Sequence, residues 1–299
     1  MKIIKKISIS LIAVGLIFVS ISQAFAETIY EYYGLSYMII SNTELSVVGW
    51  DNRSEELRIP AQINGRGIAS IGNGAFEGNT FITSLNLAVA KNLNRIGAYS
   101  FQDCTGLNTE LVLPKSITAI ENRAFQGSSA IPSVIVNSLI TVIPNQCFMD
   151  CSSLKTVELS EGIEQINAWA FANCSSMEYI NIPKTVTFIS DYAFSNAPNL
   201  TLGVWYGTTG YDYAKAQNIP YVLLDGVKLG DANGDNNINI NDVTAIQRHL
   251  AQLEQIEGIY LYAADSNQSG DLDISDATTV QQFLAQYQLP HPSGEVMTQ

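Results

Sequence analysis

Histidine is nearly absent from this sequence. Only His249 and His291 occur, and both lie in the last quarter of the chain. The rest of the chain therefore has no histidine general base, no Ser–His or Cys–His pair and no histidine metal site. Glutamates that could pair for glycosidic chemistry are interpreted as exposed surface residues. They are Glu110, Glu121, Glu158, Glu161 and Glu164. We predict that the protein is not an enzyme, and the alternative is a polysaccharide-degrading enzyme with an unfamiliar site.

Basic side chains are also scarce. The chain has 15 Lys and Arg against 28 Asp and Glu, for a formal net charge of −13. A surface this acidic repels phosphate backbones, so we expect no nucleic acid partner.

Long apolar runs are limited to one, from Ile7 to Val19, which follows three lysines and precedes Ala24-Phe25-Ala26. This order is typical of a secretory signal peptide. A membrane anchor is the alternative, but a spanning helix needs roughly 20 apolar residues. We predict cleavage before Glu27. The mature chain is then secreted, extracellular and without a membrane span, and loss of the three lysines takes its formal charge from −13 to −16. Any association with a scaffold or a bacterial cell surface depends on a partner.

An internal repeat marked by phenylalanine is the strongest pattern. Six phenylalanines recur at intervals of 25, 24, 23, 23 and 23 residues. They are Phe76, Phe101, Phe125, Phe148, Phe171 and Phe194. Apolar residues stand eight and five positions before each phenylalanine and six positions after it. Four apolar columns in register over six units indicate a repeat architecture.

Short alternating stretches, such as residues 154–159, predict one short strand in each repeat. A single coil cannot bury its own apolar face, so neighbouring coils stack into a solenoid with a parallel sheet on one side. Three outward positions of this sheet, Val112, Ile135 and Tyr179, are unusually apolar. We predict that they bind a ligand, with ordinary scattered exposure as the alternative.

The four cysteines occupy small-residue columns of the repeat. Cys147 directly precedes a repeat phenylalanine, whereas Cys104, Cys151 and Cys174 each follow one by three residues. A buried thiol behaves as a small hydrophobic group, which favours stacked, reduced cysteines. The alternative is a disulfide between Cys151 and Cys174, whose separation on adjacent coils suits a bridge.

The unit at residues 163–177, Ile-Glu-Gln-Ile-Asn-Ala-Trp-Ala-Phe-Ala-Asn-Cys-Ser-Ser-Met, resembles the BspA-type leucine-rich repeats of bacterial surface proteins. The resemblance runs from about Tyr37 to Leu224 and includes an N-terminal hairpin and a closing helix and strand. It implies an α/β leucine-rich-repeat solenoid of parallel short strands, with six repeats of 23–25 residues and a cap at each end.

Two acidic loops follow Gly226, with oxygen-bearing residues at positions 1, 3, 5, 7, 9 and 12. Calcium takes six to eight oxygen ligands, and this spacing can supply them from one loop. The candidate ligands are Asp231, Asn233, Asp235, Asn237, Asn239 and Asp242 in the first loop, and Asp265, Asn267, Ser269, Asp271, Asp273 and Asp276 in the second. Both loops end in Asp where Glu is usual, and Asn236 replaces the turn glycine. Asn tolerates the left-handed conformation, so we expect the turn to persist. Apolar segments with helical spacing follow both loops.

Residues 226–290 resemble a type I dockerin, with Gly-Asp-Ala-Asn-Gly-Asp at 230–235 and Asp-Val-Thr-Ala-Ile-Gln-Arg at 242–248. Dockerins attach cellulosome components to cohesin domains of a scaffold. The resemblance implies a small α-helical domain of two loop–helix halves, two bound Ca²⁺ and a cohesin partner. It also implies cohesin contacts at loop positions 10 and 11 and helix positions 17, 18 and 22. These are Ile240, Asn241, Gln247, Arg248 and Gln252, and in the second half Ile274, Ser275, Gln281, Gln282 and Gln286. Three of the five pairs are identical, so we predict that cohesin binds in two orientations.

The sequence therefore predicts a signal peptide at 1–26, an N-terminal cap at 27–67, repeats at 68–202, a C-terminal cap at 203–225, a dockerin at 226–290 and a tail at 291–299. We predict a secreted binding protein for polysaccharide catabolism, whose repeats bind an unknown protein or glycan. The alternative is a structural spacer. Little chain separates Leu224 from Gly230, so the dockerin should lie against the C-terminal cap.

Overall fold

The computed structural model describes residues 28–52, 54–137 and 139–285. The predicted signal peptide and tail thus lie outside the described residues. The chain forms two compact units. One comprises the described residues up to Glu178 together with Ser190–Asn199, and the other comprises Tyr179–Ile189 together with the residues from Leu200 onward. Within the described ranges, no helix is long and apolar enough to cross a membrane.

The first unit begins with a small mixed sheet. Its strands are β1 (Ile29–Tyr32), β2 (Leu35–Ile39), β3 (Glu44–Trp50), β5 (Gln62–Ile63) and β6 (Arg66–Ile71). Strand β4 (Glu56–Arg58) lies outside this sheet and pairs in parallel with Ser84–Asn86. β1, β2 and β3 pair antiparallel, and β3 then pairs in parallel with β6. Leu45 and Val47 of β3 are buried. The antiparallel strands therefore cover the first coil, which would otherwise expose its apolar edge.

Each following repeat contributes two strands, so the prediction of one strand per repeat was wrong. The strands are β7 (Ser84–Asn86), β8 (Arg95–Ile96), β9 (Leu111–Leu113), β10 (Ala119–Ile120), β11 (Ser133–Val136), β12 (Val142–Ile143), β13 (Thr156–Leu159) and β14 (Gln165–Ile166). β9, β11 and β13 form one parallel ladder, β6, β8 and β10 another, and β12 pairs with β14. The second strand of each repeat has only two residues, too few to show alternation in the sequence.

The six repeat phenylalanines stack in one ladder inside the first unit. Successive ring centroids lie 5.0, 5.0, 5.4, 5.6 and 5.4 Å apart. Their exposed fractions do not exceed 5%. Stacked aromatic rings of this spacing stabilise a core by about 0.5–1.5 kcal/mol per pair beyond the burial of their area.

The cysteines are free thiols, and all four are buried. The thiols of Cys104, Cys151 and Cys174 donate to the carbonyl oxygens of Phe76, Phe125 and Phe148 at 3.0, 3.3 and 3.2 Å. Ser128 occupies the same column and donates to the Phe101 carbonyl at 2.6 Å. Burial raises the pKa of Cys104 and of Cys174 to about 12. In these four coils the column therefore satisfies one backbone carbonyl each, which both Cys and Ser can do.

The second unit begins with four strands and one helix. They are β15 (Tyr179–Asn181), β16 (Phe188–Ile189), β17 (Thr201–Val204), α1 (Thr209–Ala216) and β18 (Tyr221–Leu223). β15, β17 and β18 pair in parallel. Gly210, Tyr211, Tyr213 and Ala214 are the buried residues of α1.

The same unit continues into a helical module. Its helices are α2 (Ile240–Leu250), α3 (Ile259–Ala264) and α4 (Ile274–Leu284). Val243, Ile246, Ala277 and Val280 belong to its core, with Leu272 packed against it. The two halves predicted from the sequence thus share one small core between α2 and α4.

Four aromatic rings join this module to the preceding strands; we call Tyr206, Tyr211, Tyr221 and Tyr262 the tyrosine cluster. Tyr262 of α3 lies 6.0 Å from Tyr206 and 6.3 Å from Tyr211, ring centroid to centroid. Tyr211 also meets Tyr206 at 5.1 Å and Tyr221 at 5.5 Å. Burial raises the pKa of Tyr211 and of Tyr262. The expectation that the module lies against the closing segment is confirmed.

Candidate functional site

The first acidic loop is organised around Asp231. This side chain is only 2% exposed. Its Oδ1 accepts hydrogen bonds from the backbone N–H groups of Gly234 and Asp235 at 2.9 and 3.1 Å, and its Oδ2 accepts from Asn236 at 3.0 Å. The loop therefore wraps around the carboxylate at position 1, as its spacing predicts.

Asp242, at position 12, closes the same loop from the first turn of α2. It is fully buried. Its two oxygens accept from the backbone N–H groups of Asn233 at 3.1 Å and Asn239 at 2.8 Å. Asn239 caps α2 in return by accepting from the N–H of Asn241 at 2.8 Å. Asp242 thus completes the capping box of α2 with Asn239 and is also the last candidate ligand of the loop.

The second loop repeats this arrangement. Asp265 accepts from the N–H groups of Ser269 and Gly270 at 2.9 and 2.8 Å. Asp276 is fully buried and accepts from Asn267 and Asp273 at 3.2 and 2.9 Å. Equivalent groups therefore make equivalent hydrogen bonds in both halves.

The sharp turn at position 6 differs in residue but not in backbone conformation. Asn236 has φ +64° and Gly270 has φ +91°. The expectation that Asn236 preserves the turn is confirmed, because Asn adopts the left-handed region at lower cost than most residues.

The donor set of both loops fits a hard cation. Asp231, Asp242 and Asp276 are buried, and within the described ranges none of them forms an ion pair with Lys or Arg. Burial raises the pKa of Asp242 and Asp276, and the neighbouring carboxylates of each loop act in the same direction. Buried carboxylates need a compensating charge, and Ca²⁺ supplies it together with a preference for oxygen.

Carboxylates form only part of each predicted ligand set. Among the described residues, no group of three His, Cys, Asp or Glu side chains is placed to hold a metal ion by itself. Amide and backbone oxygens make up the rest of the predicted set. At position 7 the backbone carbonyls of Asn237 and Asp271 accept hydrogen bonds from the side chains of Asn239 at 3.2 Å and Ser269 at 3.0 Å, so each carbonyl faces its own loop. Ligation by the twelve candidates stays a prediction.

The candidate cohesin contacts lie on the surface of the helical module. All nine that the structure describes are exposed, and Gln286 lies outside the described residues. Ile240 and Ile274 begin α2 and α4 with 60% and 61% exposure. Exposure this large is unusual for isoleucine and occurs at equivalent positions of both halves, which favours a contact role.

The C-terminal end of the first half differs from the prediction. Helix α2 ends at Leu250, and Gln252 follows in a left-handed turn with φ +57°, so its prediction as a helix residue was wrong. Arg248 donates through Nε to Glu254 at 2.7 Å. A cavity of about 470 Å³ beside this pair is lined by Asn241, Arg248 and Tyr260 among others. The candidate cohesin contacts of the two halves are therefore similar in exposure but differ at Arg248, whose counterpart is Gln282.

The predicted ligand residues of the sheet face lie on different strands. Val112 and Ile135 are register partners on β9 and β11; Val112 is 41% exposed and Ile135 is half-buried. A cavity of about 330 Å³ beside Val112 is also lined by Glu56, Asn86 and Glu110. Tyr179 is half-buried and donates through its hydroxyl to Asn181 at 2.7 Å. These positions stay candidates for ligand contact.

Sequence reasoning missed a second group of exposed rings. Tyr99, Trp169 and Tyr192 each stand two residues before a repeat phenylalanine and are 38%, 42% and 58% exposed. Comparison of this column across the repeats would have found them.

Two family models match the chain. Residues 69–201 match six copies of the BspA type leucine-rich repeat region, and residues 229–285 match the dockerin type I domain. A comparison with curated proteins found no match.

Solved structures give the fold alone. The crystal structure of a leucine-rich repeat protein from T. pallidum has a TM-score of 0.53 and 18% identity, and the alignment covers 76% of this chain and 96% of that chain. A leucine-rich repeat protein from Eubacterium ventriosum has a TM-score of 0.45 and 19% identity, over 55% of this chain and 44% of that chain.

Proposed function

Because residues 69–201 are BspA-type leucine-rich repeats and residues 229–285 are a type I dockerin domain, we propose that this is a secreted protein that binds a cohesin in the presence of Ca²⁺. Its dockerin attaches it to a cellulosome scaffold, and its repeats bind a further protein or glycan. Both domain types are non-catalytic, and both occur in extracellular or cell-surface proteins.

One observation supports the calcium dependence most directly. Asp231 and Asp242 in one loop and Asp276 in the other are buried carboxylates whose hydrogen bonds come from their own loops. Without a cation, each loop holds several negative charges close together. The folded module therefore favours Ca²⁺ binding.

The experiment is a calcium titration of the whole mature protein, followed by thermal unfolding. Each occupied site should stabilise the module by about 2.7 kcal/mol at a hundredfold excess of Ca²⁺ over its dissociation constant. Asp231→Asn should weaken one site, whereas Glu257→Gln, which changes an exposed acid outside the loops, should leave both unchanged. A melting temperature that does not respond to Ca²⁺ would contradict the proposal.

Cohesin binding is tested on a panel of type I cohesin domains by titration calorimetry, with Ca²⁺ and with EGTA. The similar exposure of Ile240 and Ile274 supports two binding orientations. Changing Ile240 and Asn241 to Asp, or Ile274 and Ser275 to Asp, should each leave most of the affinity, whereas changing all four should abolish binding. If one double change alone removes binding, a single orientation dominates.

Export is tested by expressing the complete chain in a bacterial secretion host and sequencing the N-terminus of the extracellular product. We expect it to begin at Glu27. Recovery of an uncleaved, membrane-bound chain would favour an anchor instead.

The role of the repeats is tested by screening the mature protein against polysaccharides and extracellular proteins. Retention supports a binding domain, and inertness supports a spacer. Release of soluble sugar would indicate a hydrolase, whose candidates include Glu56 and Glu110 beside the sheet-face cavity.

A further inference from the structure

Large side chains form a column along the repeats at the position two residues before each phenylalanine. We call this set the outer column. It consists of Gly74, Tyr99, Arg123, Gln146, Trp169 and Tyr192. All belong to the first compact unit. Five of the six side chains are large, and the three aromatic ones are exposed.

The backbone of this column is costly for such residues. Tyr99, Arg123, Gln146 and Trp169 have φ values of 59°, 61°, 57° and 56°, close to the 62° of Gly74. A left-handed conformation costs a residue with a side chain roughly 1–2 kcal/mol, and glycine would avoid this cost.

A second left-handed column in the same repeats provides an internal comparison. It lies two residues after each phenylalanine and contains only residue types that tolerate this conformation. They are Gly78, Asp103, Gly127, Asp150, Asn173 and Asn196. In this column the side chains of Asn173 and Asn196 also donate to Asp150 and Asn173 at 2.6 and 2.9 Å, so residues that tolerate the turn can still link neighbouring coils. Retention of Tyr, Arg, Gln and Trp in the outer column indicates that these side chains themselves are used.

Neighbouring side chains of the outer column hold one another in place. The Arg123 guanidinium lies over the Tyr99 ring at 5.5 Å from its centroid, and its Nε donates to Gln146 at 2.6 Å. Trp169 and Tyr192 stack at 5.5 Å with an interplanar angle of 21°. Side chains already ordered lose little entropy when a partner binds. Trp, Tyr and Arg are also the residue types that dominate binding energy at protein interfaces.

The charges around the column favour a basic partner. From four residues before each phenylalanine to two after it, the six repeats contain five carboxylates and one guanidinium. The carboxylates belong to Glu77, Asp103, Glu121, Asp150 and Asp191. Arg95, just outside this stretch, forms an ion pair with Glu121 at 3.1 Å, and the surroundings of the column keep an excess of negative charge when this pair is included. Complementary charge attracts the partner and fixes its register.

The length of the column sets the size of the partner. Four coil spacings of 5.0–5.6 Å separate Tyr99 from Tyr192, or about 21 Å. An extended polypeptide rises about 3.3 Å per residue, so about six residues cover this distance.

We propose that the outer column binds an extended polypeptide segment that carries apolar side chains together with lysine or arginine. This inference rests on the proposed role of the repeats as a binding domain. A polypeptide is favoured over a glycan because each of the three rings already has one face covered by a neighbour. Arg123 covers one face of Tyr99, and Trp169 and Tyr192 stack on each other. Sugars stack on open ring faces.

The test uses the whole mature protein with Ca²⁺ and two decapeptides, one alternating leucine with lysine and one alternating leucine with glutamate, measured by fluorescence anisotropy. The double variant Trp169→Gln, Tyr192→Gln introduces a residue that the outer column already contains at Gln146, and it keeps the net charge. The sheet-face variant Ile135→Ser, Tyr179→Ser tests the alternative site, and Phe81→Gln, which changes an exposed ring outside both surfaces, is the control. Soluble xylan and β-glucan are tested with the same variants.

We expect the leucine–lysine peptide to bind at least tenfold more weakly to the outer-column variant and within twofold of wild type to the control variant Phe81→Gln. The proposal is overturned if the leucine–glutamate peptide binds equally well, or if neither peptide binds. It is also overturned if the outer-column and control variants lose leucine–lysine binding equally, or if the outer-column variant loses polysaccharide binding and not peptide binding. Cohesin binding and the melting temperature are measured on every variant. Binding of a ligand at the sheet face would refute the outer column alone, and inertness towards every probe would also refute the binding role of the repeats.

Discussion

Removal of calcium should loosen α1 and β18 as well as the dockerin. Tyr262 of α3 meets Tyr206 and Tyr211 with ring centroids 6.0 and 6.3 Å apart. Two aromatic pairs at about 0.5–1.5 kcal/mol each couple the two parts by about 1–3 kcal/mol. If chelation unfolds the dockerin, this coupling is lost. Amides of α1 and β18 should then exchange their hydrogens roughly 5- to 150-fold faster.

The assay is hydrogen exchange measured by mass spectrometry on peptides covering residues 209–223, with Ca²⁺ and with EGTA. Peptides covering β11, in the other compact unit, provide the internal control. Tyr262→Ala should remove most of the effect of EGTA, whereas Leu261→Ala, an exposed neighbour on α3, should preserve it. Unchanged protection of residues 209–223 after chelation of the wild type would refute the coupling, as would an undiminished response in Tyr262→Ala.

Three further predictions concern the interior of the repeats. Phe148→Ala should destabilise the protein by about 3–5 kcal/mol in urea unfolding, since the ring is fully buried between two others. Phe194→Ala, at the end of the ladder, should destabilise it by about 0.5–1.5 kcal/mol less, and equal losses would argue against stacking. Cys104→Ser should change stability by less than about 1 kcal/mol, because Ser128 makes the same hydrogen bond in its own coil. Burial raises the pKa of Cys104 and of Cys174 to about 12, against an ordinary 9.0, so the thiols favour the folded state fully below pH 9 and lose this effect as the pH rises towards 12. At pH 10 the free energy of unfolding should be lower by about 1.4 kcal/mol per thiol, and this loss should be absent after replacement of both cysteines by serine.

The repeats and the two loops could be predicted because their contacts join residues at fixed sequence separations. Phe125 meets Phe148 one period later, and Asp231 meets the N–H of Asn236 five residues later. A pattern of this kind is visible in the sequence itself. The two-residue strands such as Val142–Ile143 were missed because their hydrogen bonds come from neighbouring coils and leave no alternation.

The sequence by itself determined the solenoid, its parallel strands, the stacked phenylalanines and the paired acidic loops, since each follows from spacing along the chain. Only the tertiary structure decided that Tyr262 contacts Tyr206 and Tyr211, that α2 ends before Gln252, and that Arg123 lies over Tyr99. These features depend on which surfaces meet and on side-chain direction. The ring contacts of the tyrosine cluster join residues about 50 positions apart in the sequence, and no repeat relates these positions, so no local pattern encodes the cluster.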